Sequence, residues 1–390
     1  MAGSLTAGER KKILSLSAGF FFVMGFSNVS YFLPVYYAQM GFSPKAAGLL
    51  VSAFFITSVA LRPFMAGLII KFGFRKILFS AGIISVLSSI GVALAGNSFW
   101  LALFSRAALG VGASFFQVGL ATFQAVAFSE SIRGRAFSLT MAGGLLPMMT
   151  LVPLADWLLF RDLHSIYILL PLISSVAALL MMPLIPDLGI TKIPGAGGSR
   201  NYFSSLADCF KIPAFRVALF AFFLFCLVDA TSAFMAAMTR HYGLMASFFL
   251  SSNALVGVCV RLFCARLLDR YPRWKLSLPS IMITAGTLLL ASINPTRESL
   301  IVLGLIFGIG MGFGFPLHIA LISDVVPQNL QPQAVSTAWF LMGFDFAVIP
   351  LLMGWMGTQT GPVATFQFIC GLTLLGAVMS ALMWARVMKK

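Results

Sequence analysis

Between Ile301 and Ala320 the chain runs for 20 residues without one Asp, Glu, Lys or Arg, and Ile13–Tyr37 does the same over 25. A helix rises about 1.5 Å per residue, so about 20 apolar residues cross a hydrocarbon core of about 30 Å, and a run of about 10 to 14 does not. Runs of this length recur along the whole chain. In water such a chain would lack material for its surface: 9% of its 390 residues are charged and 59% are hydrophobic, whereas a soluble domain carries about 25% charged residues. The pattern specifies an all-α, polytopic membrane protein. It excludes a soluble enzyme, a secreted disulfide scaffold and a porin-type barrel, whose strands would alternate over about ten residues.

Twelve transmembrane helices are expected, near 13–37, 47–70, 77–96, 99–128, 134–158 and 165–186, then near 214–239, 246–268, 274–294, 299–325, 334–357 and 363–385. The first is too long for the apolar core of a signal peptide and no cleavage site follows it, so it stays as a helix. Between the two sets lies the long polar stretch 187–213, with Pro194, Gly195, Gly197, Gly198 and Ser199. Gly/Pro-rich polar segments of this kind connect domains. The expected organisation is an N-terminal six-helix bundle over 1–186, a linker over 187–213 and a C-terminal six-helix bundle over 214–390.

The net charge of +15 would suggest nucleic acid in a soluble protein. Here the cations lie between hydrophobic runs, so they are read as setting topology and no nucleic acid is expected. Of 26 Lys and Arg, 19 fall on one side, in the groups Arg10–Lys12, Lys71–Lys76, Arg133 with Arg135, Lys192–Arg216, Arg266–Lys275 and Arg386–Lys390. Only Lys45, Arg161, Arg240 and Arg297 fall on the other; Arg62, Arg106 and Arg261 lie within spans. The positive-inside rule then places both termini and the linker in the cytoplasm. Cys209, Cys226, Cys259, Cys264 and Cys370 have no metal-type spacing and read as small packing residues. No metal or cofactor is expected.

The two halves read as copies. In 62–76 and 261–275, Arg62 falls on Arg261, Phe64 on Phe263, Ala66 on Ala265, Leu68 on Leu267, Lys71 on Arg270 and Lys76 on Lys275. A similar offset puts Gly110 and Gly112 on Gly308 and Gly310, and Ala136 and Ser138 on Ala334 and Ser336. A repeat of about 199 residues means duplication into two pseudo-symmetric bundles, a plan that suits a cavity opening alternately to either side.

With these motifs in place, the whole chain resembles the major facilitator superfamily of secondary transporters. Residues 62–76 are similar to that family's loop motif between helices 2 and 3, R-P-x-x-G-x-L-x-D-R-x-G-x-R-K. Arg62, Pro63, Leu68, Lys71, Gly73, Arg75 and Lys76 fit it; Ile70 replaces the acid and Ala66 the glycine. The second copy keeps the acid as Asp269 and has Pro272 in place of the turn glycine. Arg106-Ala-Ala-Leu-Gly110-Val-Gly112 is similar to the helix-4 motif R-x-x-x-G-x-G of proton-coupled members. Arg133-Gly134-Arg135-Ala136 matches the family's R-G-R-A, and Val152–Asp156 stands where exporters carry a helix-5 motif ending G-P-x-x-G-G.

A charge near the membrane centre costs at least about 2.5–3.5 kcal/mol, so each needs a partner, a wet cavity or a function. Arg106 shares a helix face with Gly110, Ser114, Gln117, Ala121 and Gln124, which suggests a cavity wall. Asp229 lies mid-helix with Ser232 one turn on, and under the repeat it falls close to Asn28. The resemblance implies that helices 1 and 7 line the cavity, so Asn28, Tyr31, Asp229 and Ser232 are pocket candidates. Loss of water disfavours a lone carboxylate, which would let Asp229 carry a proton. His318 and Asp345 are further buried candidates. Arg62 and Arg261 are expected to snorkel or to pair across the bundle interface. Family symmetry implies a cytoplasmic latch in which Asp269, beside Arg270, faces Arg133 and Arg135. Ile70 forbids its counterpart around Gly73 and Arg75.

The leading expectation is a proton-coupled secondary active transporter of the cytoplasmic (inner) membrane, monomeric, working by alternating access. It would export a drug-like compound or a siderophore-type metal chelator. Its partners would be that small molecule, protons and the lipid bilayer. An importer of a small polar or anionic compound, siderophores included, is the alternative, with Arg106 as the anion partner. A non-transporting sensor or scaffold would not need buried Arg106 and Asp229. Catalysis is not expected, since no HExxH is present, His is scarce, and no Ser–His or paired-Asp arrangement suits catalysis within the spans.

Overall fold

The computed structural model describes residues 6–128, 130–185, 202–263 and 271–388; side chains at 63, 66, 67, 70, 121, 122, 124–127, 130–135, 137, 138, 202–205 and 332 lie outside that description. Among the described residues there are helices and no strand. The chain divides into two compact units, Met1–Ala196 and Gly197–Lys390.

The first unit holds α1 (Ala7–Val29), a 3₁₀ turn over Ser30–Phe32, α2 (Leu33–Gln39), α3 (Pro44–Phe72), α4 (Phe74–Leu94), α5 (Phe99–Ala127), α6 (Glu130–Phe160), α7 (His164–Tyr167) and α8 (Leu170–Met181). Local chemistry sets the ends. Thr6 and Glu9 close a capping box on α1, and Ser43 caps α3 with Pro44 at its first position, where the missing amide costs nothing. Gly73, at φ +87°, is at once the last cap of α3 and the first of α4, a one-residue corner that a side chain would strain. Apolar side chains from α1, α3, α4, α5 and α8 interlock in one core that includes Leu16, Phe20, Phe54, Phe74 and Phe116.

The second unit holds α9 (Tyr202–Lys211), α10 (Pro213–Ser232), α11 (Met235–His241), α12 (Ser247–Phe263), α13 (Arg273–Leu290), α14 (Arg297–Asp324), α15 (Gln331–Thr360) and α16 (Pro362–Val387). Its pairings repeat those of the first. As α3 and α4 pack on α5, so α12 and α13 pack on α14; as α1 packs on α6 and α8, so α10 packs on α15 and α16. The corner before α13 differs, since Pro272 caps it at φ −56° in place of a left-handed glycine.

The glycines found by the repeat have the same task in both units. A Cβ on Gly110 would lie 2.1 Å from the Phe54 carbonyl oxygen of α3, and one on Gly308 would lie 2.6 Å from the Asn253 carbonyl oxygen of α12. A Cβ on Gly112 would meet Ser85 of α4, and one on Gly310 would meet Thr284 of α13. Small residues let membrane helices approach to backbone contact, where dispersion takes over from the absent hydrophobic drive.

Two expectations need adjusting. Among the described residues, ten helices are long and apolar enough to cross a bilayer, at ten of the twelve expected spans. Of the others, α12 is a shorter apolar helix of 17 residues that ends at the edge of the described chain, and α13 starts with Arg273 and Lys275, which dilute its 18 residues. The stretch read as linker also contains α9, which packs on α10 and α15; within it the Cys209 thiol donates to the Leu330 carbonyl at 3.8 Å. Cys226 and Cys370 are buried as expected, whereas Cys259 is exposed and Cys264 lies outside the described residues.

Candidate functional site

In the first unit the buried polar chemistry centres on Arg106, near the start of α5 and 1% exposed. Its Nε donates to the Leu50 carbonyl of α3 at 3.3 Å, one terminal nitrogen donates to Ser30 Oγ at 3.0 Å, and the guanidinium lies 4.8 Å over the Phe54 ring. The other terminal nitrogen, Nη2, is buried without a partner. The break between α1 and α2 supplies this environment. There the helix gives up regular bonds, Ser30 donates back to the Phe26 carbonyl at 2.8 Å, and Tyr167 of α7 donates to the Val29 carbonyl at 3.0 Å. Tyr37 and Tyr167 lie in range of Arg106, and the Tyr37 hydroxyl is itself buried and unpartnered. Sequence reasoning missed both tyrosines. Tyr37 lies two helical turns beyond Ser30, a spacing that could have flagged it.

The expected polar stripe along α5 does not stay together. Gly110 and Ser114 are packed away, Gly110 against α3 and Ser114 with no exposure at all, so this part of the stripe is a helix contact and not a cavity wall. Gln117 lies 11 residues from Arg106, about 16 Å along the helix. It accepts from Arg62 of α3 at 3.2 Å, so Arg62 reaches across to α5 and does not merely extend toward water. Asn28 is buried, and Tyr31 is half-buried. Arg75 is exposed, 5.9 Å over Phe79. Asp156 of α6 is also buried; it was noted only as part of a motif.

The second unit has a different centre. Asp229 of α10 interacts electrostatically with Arg261 of α12 and with Asp345 of α15. Three helices thus bring two carboxylates and one guanidinium together, with Cys226 one turn before Asp229 and in range of both acids. Asp345 is 1% exposed and its Oδ2 has no hydrogen-bond partner, as is true of Arg261 Nε. Asp229 is half-buried. Arg261 therefore has its counter-charge inside its own unit. Ser232 spends its hydroxyl on the Asp229 carbonyl at 2.7 Å.

His318 of α14 belongs to the packing. Its Nδ1 lies 2.7 Å from the Gly314 carbonyl, which can only accept, so Nδ1 carries the proton and Nε2 accepts from Ser277 Oγ of α13 at 3.0 Å. The ring stacks on Phe225 at 5.0 Å, and both nitrogens are used. Of the remaining candidates, Asp269 and Arg270 lie outside the described residues, as do the side chains of Gln124, Arg133 and Arg135.

Paired bundles built from repeated helices, each with ionisable groups inside apolar spans, are the architecture of a carrier. The family model for the Major Facilitator Superfamily matches residues 15–342 and 275–390. The chain belongs to this superfamily. Among solved structures it is similar to a POT family transporter in complex with a thioalcohol-conjugated peptide, with TM-score 0.75, 11% identity, and 97% of this chain and 96% of that one covered. It is also similar to the nucleoside transporter NupG, with TM-score 0.75, 14% identity, and coverage of 97% and 98%. At such identities the likeness is one of fold. The comparison with curated proteins gave no match. The superfamily member described here is a multi-pass membrane transporter for a small molecule.

Proposed function

We propose that this transporter is a proton-coupled secondary carrier that exports a small organic molecule, drug-like or of the siderophore type, by alternating access. The observation that supports the reading is the group Asp229–Arg261–Asp345. Two carboxylates beside one guanidinium leave one uncompensated negative charge in an apolar bundle if both ionise, and a single proton restores neutrality. Asp345, with an unpartnered oxygen, is the acid we assign to the proton, and Asp229 holds Arg261. Releasing the proton would leave an acid seeking Arg261, so protonation state and the arrangement of α10, α12 and α15 are coupled. The carrier would work as a single chain in the cytoplasmic membrane with both termini inside.

A comparison of small molecules in cells and medium, with and without the protein, tests direction and names the substrate. A compound trapped inside when the protein is missing supports export. One left in the medium overturns it and favours the second reading, import of an anionic compound. That alternative rests on the unpartnered Nη2 of Arg106 beside the unpartnered Tyr37 hydroxyl. The compound so identified, loaded into proteoliposomes under an imposed pH gradient, tests the coupling: movement indifferent to the gradient would remove it.

A further inference from the structure

The recess between α13 and α16, away from the Asp229 group, has the chemistry of a headgroup site. It has a volume of about 280 Å³ and is lined by Trp274, Lys275 and Leu278 of α13 and by Ser380, Ala381 and Trp384 of α16. Ser380 and Ala381 are small, which leaves the hollow, and Trp384 stands one turn further along the same face. The indole of Trp384 is 3% exposed, yet its Nε1–H has no hydrogen-bond partner. A buried donor left unmade costs about 1–3 kcal/mol, so a group that accepts from it is favoured. Trp274 lies 6.4 Å from Trp384, ring to ring, and the Lys275 ammonium lies 5.4 Å over the Trp274 ring.

The available cation is Lys275. Neighbouring Arg273 is committed to Asp324 at the end of α14. Lys275 is exposed and, among the described residues, makes no ion pair. The depth is that of a bilayer boundary. Lys275 is the third residue of α13 and Trp384 lies three residues before the end of α16, so both are within about 5 Å of a helix terminus. Around the recess the same two helices expose Met282, Met379 and Leu382, apolar surface for acyl chains. Tryptophans at headgroup level and a basic pocket between helices are how membrane proteins hold acidic lipids.

We infer that this recess binds the phosphate of an anionic phospholipid, with Lys275 and the Trp384 N–H as donors. Purified full-length protein in detergent, titrated with dioctanoyl phosphatidylglycerol and read by native mass spectrometry, tests this. The expected result is a lipid adduct whose affinity falls about tenfold in Lys275→Gln and again in Trp384→Phe, as loss of a hydrogen bond to a charged group predicts. Lys275→Gln changes an exposed side chain, so it carries the test even if Trp384→Phe folds poorly. Equal binding of dioctanoyl phosphatidylcholine, equal adducts in Lys275→Gln, or displacement by inorganic phosphate at the lipid's own concentration would each overturn the lipid assignment.

Discussion

Arg62 and Arg261 occupy the same place in the two copies, yet Arg62 donates to the neutral amide of Gln117 whereas Arg261 lies in electrostatic range of the Asp229 carboxylate. The contrast extends one layer up. Arg106 of α5 donates to the Leu50 carbonyl, and at the matching point of α14 stands Gly304, where a Cβ would lie 2.5 Å from the Phe249 carbonyl oxygen. Ser30, which accepts from Arg106, falls under the repeat on Asp229. One frame has therefore been furnished twice. Around Arg106 the first unit keeps a cation among hydroxyls and rings, and around Asp229 the second keeps a group of charges that a single proton can rebalance.

The sharpest way to break this contrast is Asp345→Asn. A proton moving through 100 mV supplies about 2.3 kcal/mol, enough for a substrate gradient of roughly 50-fold. In proteoliposomes the variant is expected to bring that gradient to about one while substrate exchange at equilibrium continues. A full gradient built by the same variant would move the coupling out of the second unit. Next in size is Arg106→Met. Because a charged side chain within a span costs at least about 2.5–3.5 kcal/mol, which an apolar side chain of similar length does not, we expect the melting temperature to hold or rise while transport is lost. A clear drop in melting temperature would instead make Arg106 a strut.

The frame itself is tested by Gly110→Ala and Gly308→Ala. Each puts a methyl against a backbone carbonyl and is expected to cost about 1–3 kcal/mol. Gly286→Ala, with nothing within 4 Å of the added atom, is expected to cost nothing measurable. Thermal unfolding in detergent that separates Gly110 from Gly308 would show that the copies no longer pack alike. The smallest effect is assigned to Ser277→Ala, which removes one hydrogen bond to His318, about 1 kcal/mol, and leaves the transport rate unchanged. A changed rate would return His318 to the functional group.

Much of this frame was legible in the sequence because spans, duplication and close-packing glycines are periodic signals. Gly110 with Gly308 could be matched by spacing alone, and their backbone contacts follow from it. The partners of the charged residues were not legible in that way. Whether Arg261 reaches water or Asp229 depends on how α10 and α12 are rotated about their own axes, which no local pattern records. The face of α5 misled for a related reason. Small and polar residues mark either a cavity or a tight helix contact, and at Gly110 and Ser114 they mark the contact. Of the twelve expected spans, α13 falls short of the apolar character of a span among the described residues because Arg273 and Lys275 gather at its start.

The close contacts of Gly110, Gly112, Gly308 and Gly310 also have a mechanical consequence. Where a glycine lets one helix rest on the backbone or the short side chains of its neighbour, little cushion is left to let it slide. In the trio α3–α4–α5 the glycines of α5 press on both partners, and in α12–α13–α14 the glycines of α14 do the same. Each trio is expected to travel as one stiff keel even though α13 and α14 carry Pro279 and Pro316 within their length, so the bending that a carrier needs falls to the helices outside the trios, among them α6 with Pro147 and Pro153 and α15 with Pro350.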